Sequence, residues 1–357
     1  MKVYIRFLFQ LFIKSLLFIS LVILSLVFIL NTLSELEFFS EYNVSLYFPI
    51  YISLLNSPSL LFEMFPFIFL ISTQLFFINL FNNNEVEIFK YSGLKNTSIL
   101  KTISVLSFFI GIFLIIFFYN FSSNLKNYYL KIKSNYQTDG KYLAVITNNG
   151  LWIKDIVDEK ITIINASKID ENYLINTFIT EFTLDYEVIR NIKSNKIDIQ
   201  SNEWIIFNAK IYEKRSSKDV SSFKKVSNFN YEKIKNLFSN LSSLSLKDLL
   251  ELRQNYKLLN YSTTEVDVQI HKIVSYPIYL MLMTIFSAII MFSTKKFKSF
   301  SLKIALGLFF SVIIYYTFNF FNVMGNTERI SIAVSVWFPV GILFLINLFM
   351  MKDLNEK

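Results

Sequence analysis

The chain has no cysteine, one histidine, seven glycines and five prolines among its 357 residues. Without cysteine there is no disulfide, no thiol chemistry and no cysteine-held metal site; the compartment stays open on that count. The single histidine, His271, offers no metal-ligand spacing. At a membrane surface it reads as an interfacial polar residue rather than a catalyst. No nucleophile motif is present. No G-x-x-x-x-G-K-S/T occurs, so the chain does not bind ATP in the P-loop manner. These gaps point away from an enzyme.

What the chain has is apolar length. Hydrophobic residues make up 53% of it and aromatics 18%, with 40 phenylalanines, and the mean hydropathy is positive. That composition belongs to a polytopic membrane protein, not to a globular domain with one core. A bilayer core takes about 20 apolar residues per helix. Six runs qualify, at 7–33, 61–81, 99–119, 273–292, 302–323 and 330–350. The predicted layout is a first membrane half (1–119), a polar insert (120–272) and a second membrane half (273–357). The first run is too long for the apolar core of a signal peptide and reads as a retained anchor.

Lysine and arginine set the orientation. They gather at the amino terminus (Lys2, Arg6, Lys14), between spans two and three (Lys90, Lys95, Lys101), between spans four and five (Lys295, Lys296, Lys298, Lys303) and in the tail. Residues 34–60 have none. Both termini are expected in the cytoplasm and the insert outside it. Much of the net charge of +8 is this bias, and no nucleic-acid partner is needed to explain it.

The insert reads as β over 140–213. Asn149-Gly150 suits a tight hairpin. Alternation puts Leu174, Phe178, Phe182 and Leu184 on one strand face, and Phe207, Ala209 and Ile211 on another. Short alternating strands predict an antiparallel sandwich or jelly roll. Residues 214–225 read as a solvated loop. Ser245 and Asp248 form a capping box for a helix, and Pro277 is expected to kink the fourth span or bend it near its start.

The stretch NNNEVEIFKYSGLK (82–95) interrupts two apolar runs with a small helix over 84–93. Asn84 serves as N-cap with Glu87 three residues on. Glu85 and Glu87 suit the first turn and Lys90 the last, and Gly93 suits the position just past the end. So short a helix is marginal in water, so something must hold it. An exposed phenylalanine and paired charges give it the form of a docking element. An ordinary capped turn is the simpler reading.

The order Asn84-Glu85-Val86-Glu87-Ile88-Phe89-Lys90-Tyr91-Ser92-Gly93 resembles the SELxxLRxxG loop of the LptF/LptG permeases of lipopolysaccharide export. The span around Pro66, the span opening HKIVSYPIYLMLM, and Trp337-Phe338-Pro339 in the last span are similar to that family's proline-containing spans. GLWIKD (150–155) and LSELEFF look more like the LptG branch. The resemblance covers almost the whole chain. It implies a polytopic α-helical membrane protein with six spans (3+3) and an inserted extracytoplasmic antiparallel β-jelly roll, in the inner membrane of a Gram-negative bacterium. It implies one half of a permease that extracts lipopolysaccharide. The expected partners are an LptF-type relative, an LptB-type ATPase dimer that binds the ATP, and an LptC-type bitopic protein. In that picture Glu85 anchors the loop in the ATPase groove, Val86, Ile88 and Phe89 supply apolar contact, Lys90 is an ion-pair partner and Gly93 allows close approach. The first and fifth spans line the lipid path, where phenylalanine-rich walls suit acyl chains but equally suit plain lipid contact.

One departure stands out. The outer end of the first span carries Glu35, Glu37 and Glu41, where the family often has basic residues, and Glu63 adds an acid near the outer end of the second span. Two rivals remain at this point. One is an exporter of other envelope lipids or lipoproteins, which usually has four spans. The other is a sensor or scaffold with the β domain as receptor, for which the short cytoplasmic loops offer no output domain.

Overall fold

A computed structural model describes residues 3–40, 42–134, 136, 151–157, 160–170, 172–213, 216–231, 234, 240–258, 262–293 and 299–351. The chain forms two compact units, Met1–Tyr129 with Thr264–Lys357, and Leu130–Thr263.

The first unit is helical. Its elements are α1 (Val3–Phe39), α2 (Tyr47–Asn82), α3 (Glu85–Tyr91) and α4 (Asn96–Phe113), then a π-helical turn (Leu114–Tyr119) leading into α5 (Asn120–Ser134). After the second unit come α7 (Thr264–Ser293), α8 (Phe300–Asn326) and α9 (Ile332–Met351); α6 (Leu246–Leu258) lies in the second unit. Among the described residues six helices are long and apolar enough to cross a membrane, with α4, the π turn and α5 forming one of them. In hydrocarbon every backbone N–H and C=O must be paired within the segment, and helices do that. The helices outrun the apolar stretches. α1 alone spans about 55 Å at 1.5 Å per residue, against a hydrocarbon core of about 30 Å.

The core of this unit lies where α2 and α7 meet α1 and α4. Leu8, Phe12, Phe69, Phe76, Phe77, Ile103 and Leu280 are fully buried there. Phe12 packs edge-on against Phe69 and Phe76. Burial is uneven among the spans. Within the most apolar window of each, 61% of α2 and 72% of α7 is buried, against 11% of α1 and 11% of α8.

Small residues and hydroxyls bring the central helices close, as expected where lipid tails remove any hydrophobic drive between them. A Cβ on Gly111 would lie 2.8 Å from Pro277 Cα, so α4 and α7 cross there almost backbone to backbone. Pro277 sits inside α7, and the helix continues through it. Thr284 Oγ1 donates to Ser107 Oγ at 2.9 Å, Ser287 Oγ to the Leu70 carbonyl at 2.7 Å and Asn347 Nδ2 to the Leu282 carbonyl at 3.0 Å.

The second unit holds a six-stranded antiparallel sheet, β1 (Leu151–Val157), β2 (Lys160–Asp170), β3 (Tyr173–Phe182), β4 (Val188–Asp198), β5 (Glu203–Glu213) and β6 (Ser216–Val226), paired in sequence order. The sheet curls until distant strands meet. Glu181 on β3 accepts from Arg190 on β4 at 2.8 Å and from Lys225 on β6 at 2.5 Å. Burial by itself would raise the Glu181 pKa, but the bonds and charges of Arg190 and Lys225 outweigh it and hold the carboxyl below its usual value. Asp155 on β1 accepts from Ser227 Oγ at 2.7 Å and from the Asn228 backbone at 3.1 Å, just past β6. The Trp204 indole is buried and donates to the Phe229 carbonyl.

Three expectations change here. Phe178 and Leu184 are 43% and 53% exposed, not on the buried face with Leu174. The buried side of β3 switches from Leu174 to Thr177, Ile179 and Glu181. On β5 it runs Trp204, Ile206, then Ala209, so Phe207 does not share the face of Ala209. The cause is a crease. Ser167, Asn176, Asn195, Asn208 and Ser221 all drop out of the ladders along one line across the sheet. Asn176 and Asn208 adopt left-handed backbone, φ 49° and 47°, which asparagine tolerates better than most residues. The Ser194 hydroxyl, 2.6 Å from the Phe207 carbonyl, replaces a missing ladder bond. Residues 216–226 are a strand, not a loop. They are polar because β6 is a largely exposed strand paired to β5, and charged or polar residues suit such an edge. The Asn149-Gly150 hairpin lies outside the described residues. The capping box forms as read, with Ser245 N donating to Asp248 Oδ2 at 3.2 Å and Asp248 N donating to Ser245 Oγ at 3.3 Å.

Candidate functional site

α2 passes into α3 through Asn83 and Asn84, with Asn83 N bonded to the Asn79 carbonyl and Asn84 N to the Phe81 carbonyl. Asn84 does not cap α3 with its side chain. Its backbone is left-handed, φ 56°, whereas a side-chain cap needs an extended cap residue. A two-residue link that redirects the chain takes precedence over the cap. Asn83 Nδ2 instead reaches Glu85 Oε1 at 3.4 Å.

The far end of α3 is a Schellman stop. Gly93 N donates to the Lys90 carbonyl and Leu94 N to the Phe89 carbonyl, both at 2.9 Å. Gly93 has φ 80°, where any other residue type would be strained.

The faces of α3 divide sharply. Val86 is 4% exposed and joins the membrane-unit core. Phe89 is half-buried and meets Phe7 of α1 edge-on, ring centroids 6.1 Å apart. Ile88 is 58% exposed and Tyr91 90%. Glu87 and Lys90 are exposed too. Tyr91 escaped the sequence reading; its spacing of three from Ile88 is the signal that pairs the two on one outward face.

Between α3 and the first turns of α1 lies an open apolar groove of about 660 Å³, lined by Tyr4, Phe7, Glu85, Ile88, Phe89 and Leu94 among others. Glu85 Oε2 is shielded from solvent and has no hydrogen-bond partner among the described residues. A carboxylate oxygen in that setting is uncompensated, and a cation or hydrogen-bond donor placed there would satisfy it.

The acids near the other end of the spans have specific neighbours. Glu35 is buried and accepts from the Tyr129 hydroxyl at 2.7 Å. A turn earlier, Asn31 Nδ2 donates to the Ser53 carbonyl and Asn31 Oδ1 accepts from Asn56 Nδ2, which ties α1 to α2. Glu63 is exposed. His271 is no isolated group. Its Nδ1 accepts from Trp337 Nε1 at 3.1 Å, which leaves any ring proton on Nε2. Among the described residues no cluster of three or more His, Asp or Glu could hold a metal ion.

The family model described as Lipopolysaccharide export system permease LptF/LptG matches residues 6–353. No curated protein matches the chain.

Proposed function

Because the chain belongs to the LptF/LptG family of lipopolysaccharide export permeases, and so is a multi-pass inner-membrane protein, we propose that it is one half of an ATP-driven extractor of lipopolysaccharide. The ATP is bound by a separate LptB-type dimer. The other half of the membrane body is a six-span relative, of LptF type if GLWIKD and LSELEFF mark this chain as LptG. The exported lipid passes to an LptC-type protein and a periplasmic bridge. Both termini and α3 face the cytoplasm and the β unit faces the periplasm, a reading that the lysine distribution supports.

The observation that carries this reading is the outward face of α3. Val86 and Phe89 root the helix in its own membrane unit. Ile88 and Tyr91 project from it, and Glu85 offers an uncompensated oxygen beside an apolar groove. That is the chemistry of a docking helix with a fixed base. The exposed flanks of α1 and α8 support the lipid path along the first and fifth spans.

Co-purification with the ATPase tests the reading. Glu85→Arg is expected to abolish recovery of the ATPase while the chain still folds and inserts. A sensor or scaffold would keep its partners through that change. If the unaltered chain never recovers a P-loop ATPase, the export reading is wrong.

A further inference from the structure

We propose that Gln74 is a positioning residue that carries movement of α3 through α2 into α8, so that the fifth span moves with the ATPase-facing helix. This rests on the reading of α3 just given. Gln74 sits on α2 about two turns, ~12 Å, before that helix ends. It is fully buried, and its Nε2 donates to the backbone carbonyl of Lys303 on α8 at 3.0 Å. One turn along α8 is Gly307, and a Cβ there would overlap the Gln74 amide. The missing side chain is what lets the amide lie on the α8 backbone.

The other half of the amide is left unmet. Gln74 Oε1 is buried with no hydrogen-bond partner among the described residues. In hydrocarbon that is costly, and an apolar side chain of the same length would fill the space more cheaply. The amide therefore has its purpose in the bond it makes, not in packing. The joint is wider than one bond. Phe81 stacks on Phe300, ring centroids 6.3 Å apart, and the Lys303 ammonium lies 5.8 Å from each ring. Phe81 is next to the corner into α3, whose backbone bonds tie Asn83 and Asn84 back to α2. Elsewhere α8 meets the core through ring contacts such as Tyr279 with Phe318 and Phe67 with Tyr315. Ring contacts tolerate axial displacement more readily than a hydrogen bond does, so the Gln74 bond is what fixes the register of this joint.

The test uses the whole complex, this chain with its ATPase and its six-span relative, in lipid vesicles. Lipopolysaccharide released and ATP hydrolysed are both measured, and their ratio is the readout. Gln74→Met keeps the volume and removes the donor; Gly307→Ala displaces the amide. Each is expected to leave assembly and ATP hydrolysis near the unaltered level while release per ATP falls about fivefold or more. Phe81→Cys with Phe300→Cys, bridged by a short bifunctional thiol reagent, is expected to keep the normal ratio, because the joint moves as one piece. These are the only thiols in this chain. An unchanged ratio in both joint-breaking variants overturns the proposal. So does a parallel fall of release and hydrolysis, which marks a merely structural role, and so does loss of release on bridging, which means the helices slide. If the unaltered complex hydrolyses ATP without releasing lipopolysaccharide, the export reading fails instead, and that is seen before any variant is made.

Discussion

The apolar spans of the membrane unit and the β unit bury polar groups by opposite means; the buried acids of the membrane unit, Glu35 and Asp267, lie beyond those apolar runs. In the membrane unit the buried hydroxyls and amides bond to backbone carbonyls or to each other across helices, as Ser287 does to Leu70 and Thr284 to Ser107. In the β unit buried charges are kept and paired, with Glu181 held by Arg190 and Lys225. The difference follows from the solvent each unit folds against. Hydrocarbon makes a charge expensive even when paired, so neutral groups act as the glue. A water-facing sheet can bury a carboxylate if two cations follow it in. Acid and salt should therefore move the stability of the β unit and leave the helix contacts inside the apolar spans nearly unchanged.

The largest expected effect comes from removing the buried acid. Glu181→Leu strands Lys225 and Arg190 and is expected to destabilise the β unit by about 3 kcal/mol, read by hydrogen exchange of β3 and β4 in the full chain. The pH dependence has a definite sign. The folded Glu181 carboxyl lies below its usual value, so its contribution is present above about pH 4.3, the ordinary value for glutamate, and is lost as pH falls through the lower folded value. Unaltered protein should lose more β-unit protection than Glu181→Gln between about pH 5 and pH 3. Equal acid sensitivity of the two proteins would break the comparison from the β side.

On the membrane side the strongest expected effect is steric. Gly111→Leu drives a side chain into Pro277 and should cost about 2 kcal/mol, seen as a lowered thermal midpoint in detergent that does not depend on pH. Next comes the crease in the sheet. Asn208→Val forces a β-branched residue into left-handed backbone and should cost about 1.5 kcal/mol, while Asn208→Gly should be tolerated. Equal losses for the two would show that the Asn208 side chain, not its backbone, matters. The smallest effect should be Thr284→Val, about 0.6 kcal/mol, because membrane hydrogen bonds between helices are individually weak. A loss above about 2 kcal/mol there would show that the membrane unit depends on single polar bonds as the β unit depends on its ion pair.

How much of this was legible beforehand differs by scale. Six apolar runs became six membrane-length helices, because hydrocarbon length is a local property of the chain. Ser245 and Asp248 found each other because a capping box spans three residues. The β faces were misjudged where Asn176 and Asn208 turn left-handed, since alternation assumes an unbroken pleat. Asn84 failed as a side-chain cap because the two-residue link from α2 set its backbone first. Glu35 looked like an odd acid at the end of a span until the Tyr129 hydroxyl, 94 residues away in sequence, met it.

The sequence by itself determined the number of spans, the side on which lysine gathers, and the small helix with its glycine stop, because each is written within a few neighbouring residues. Only the tertiary structure decided which face of that helix looks outward. Val86 turned in and Tyr91 turned out because α2, and α1 through Phe7, pack on one side of α3 and leave the other bare. The crease of the sheet and the seating of Gln74 on Gly307 were decided there too, since both depend on residues that become neighbours only when the chain folds.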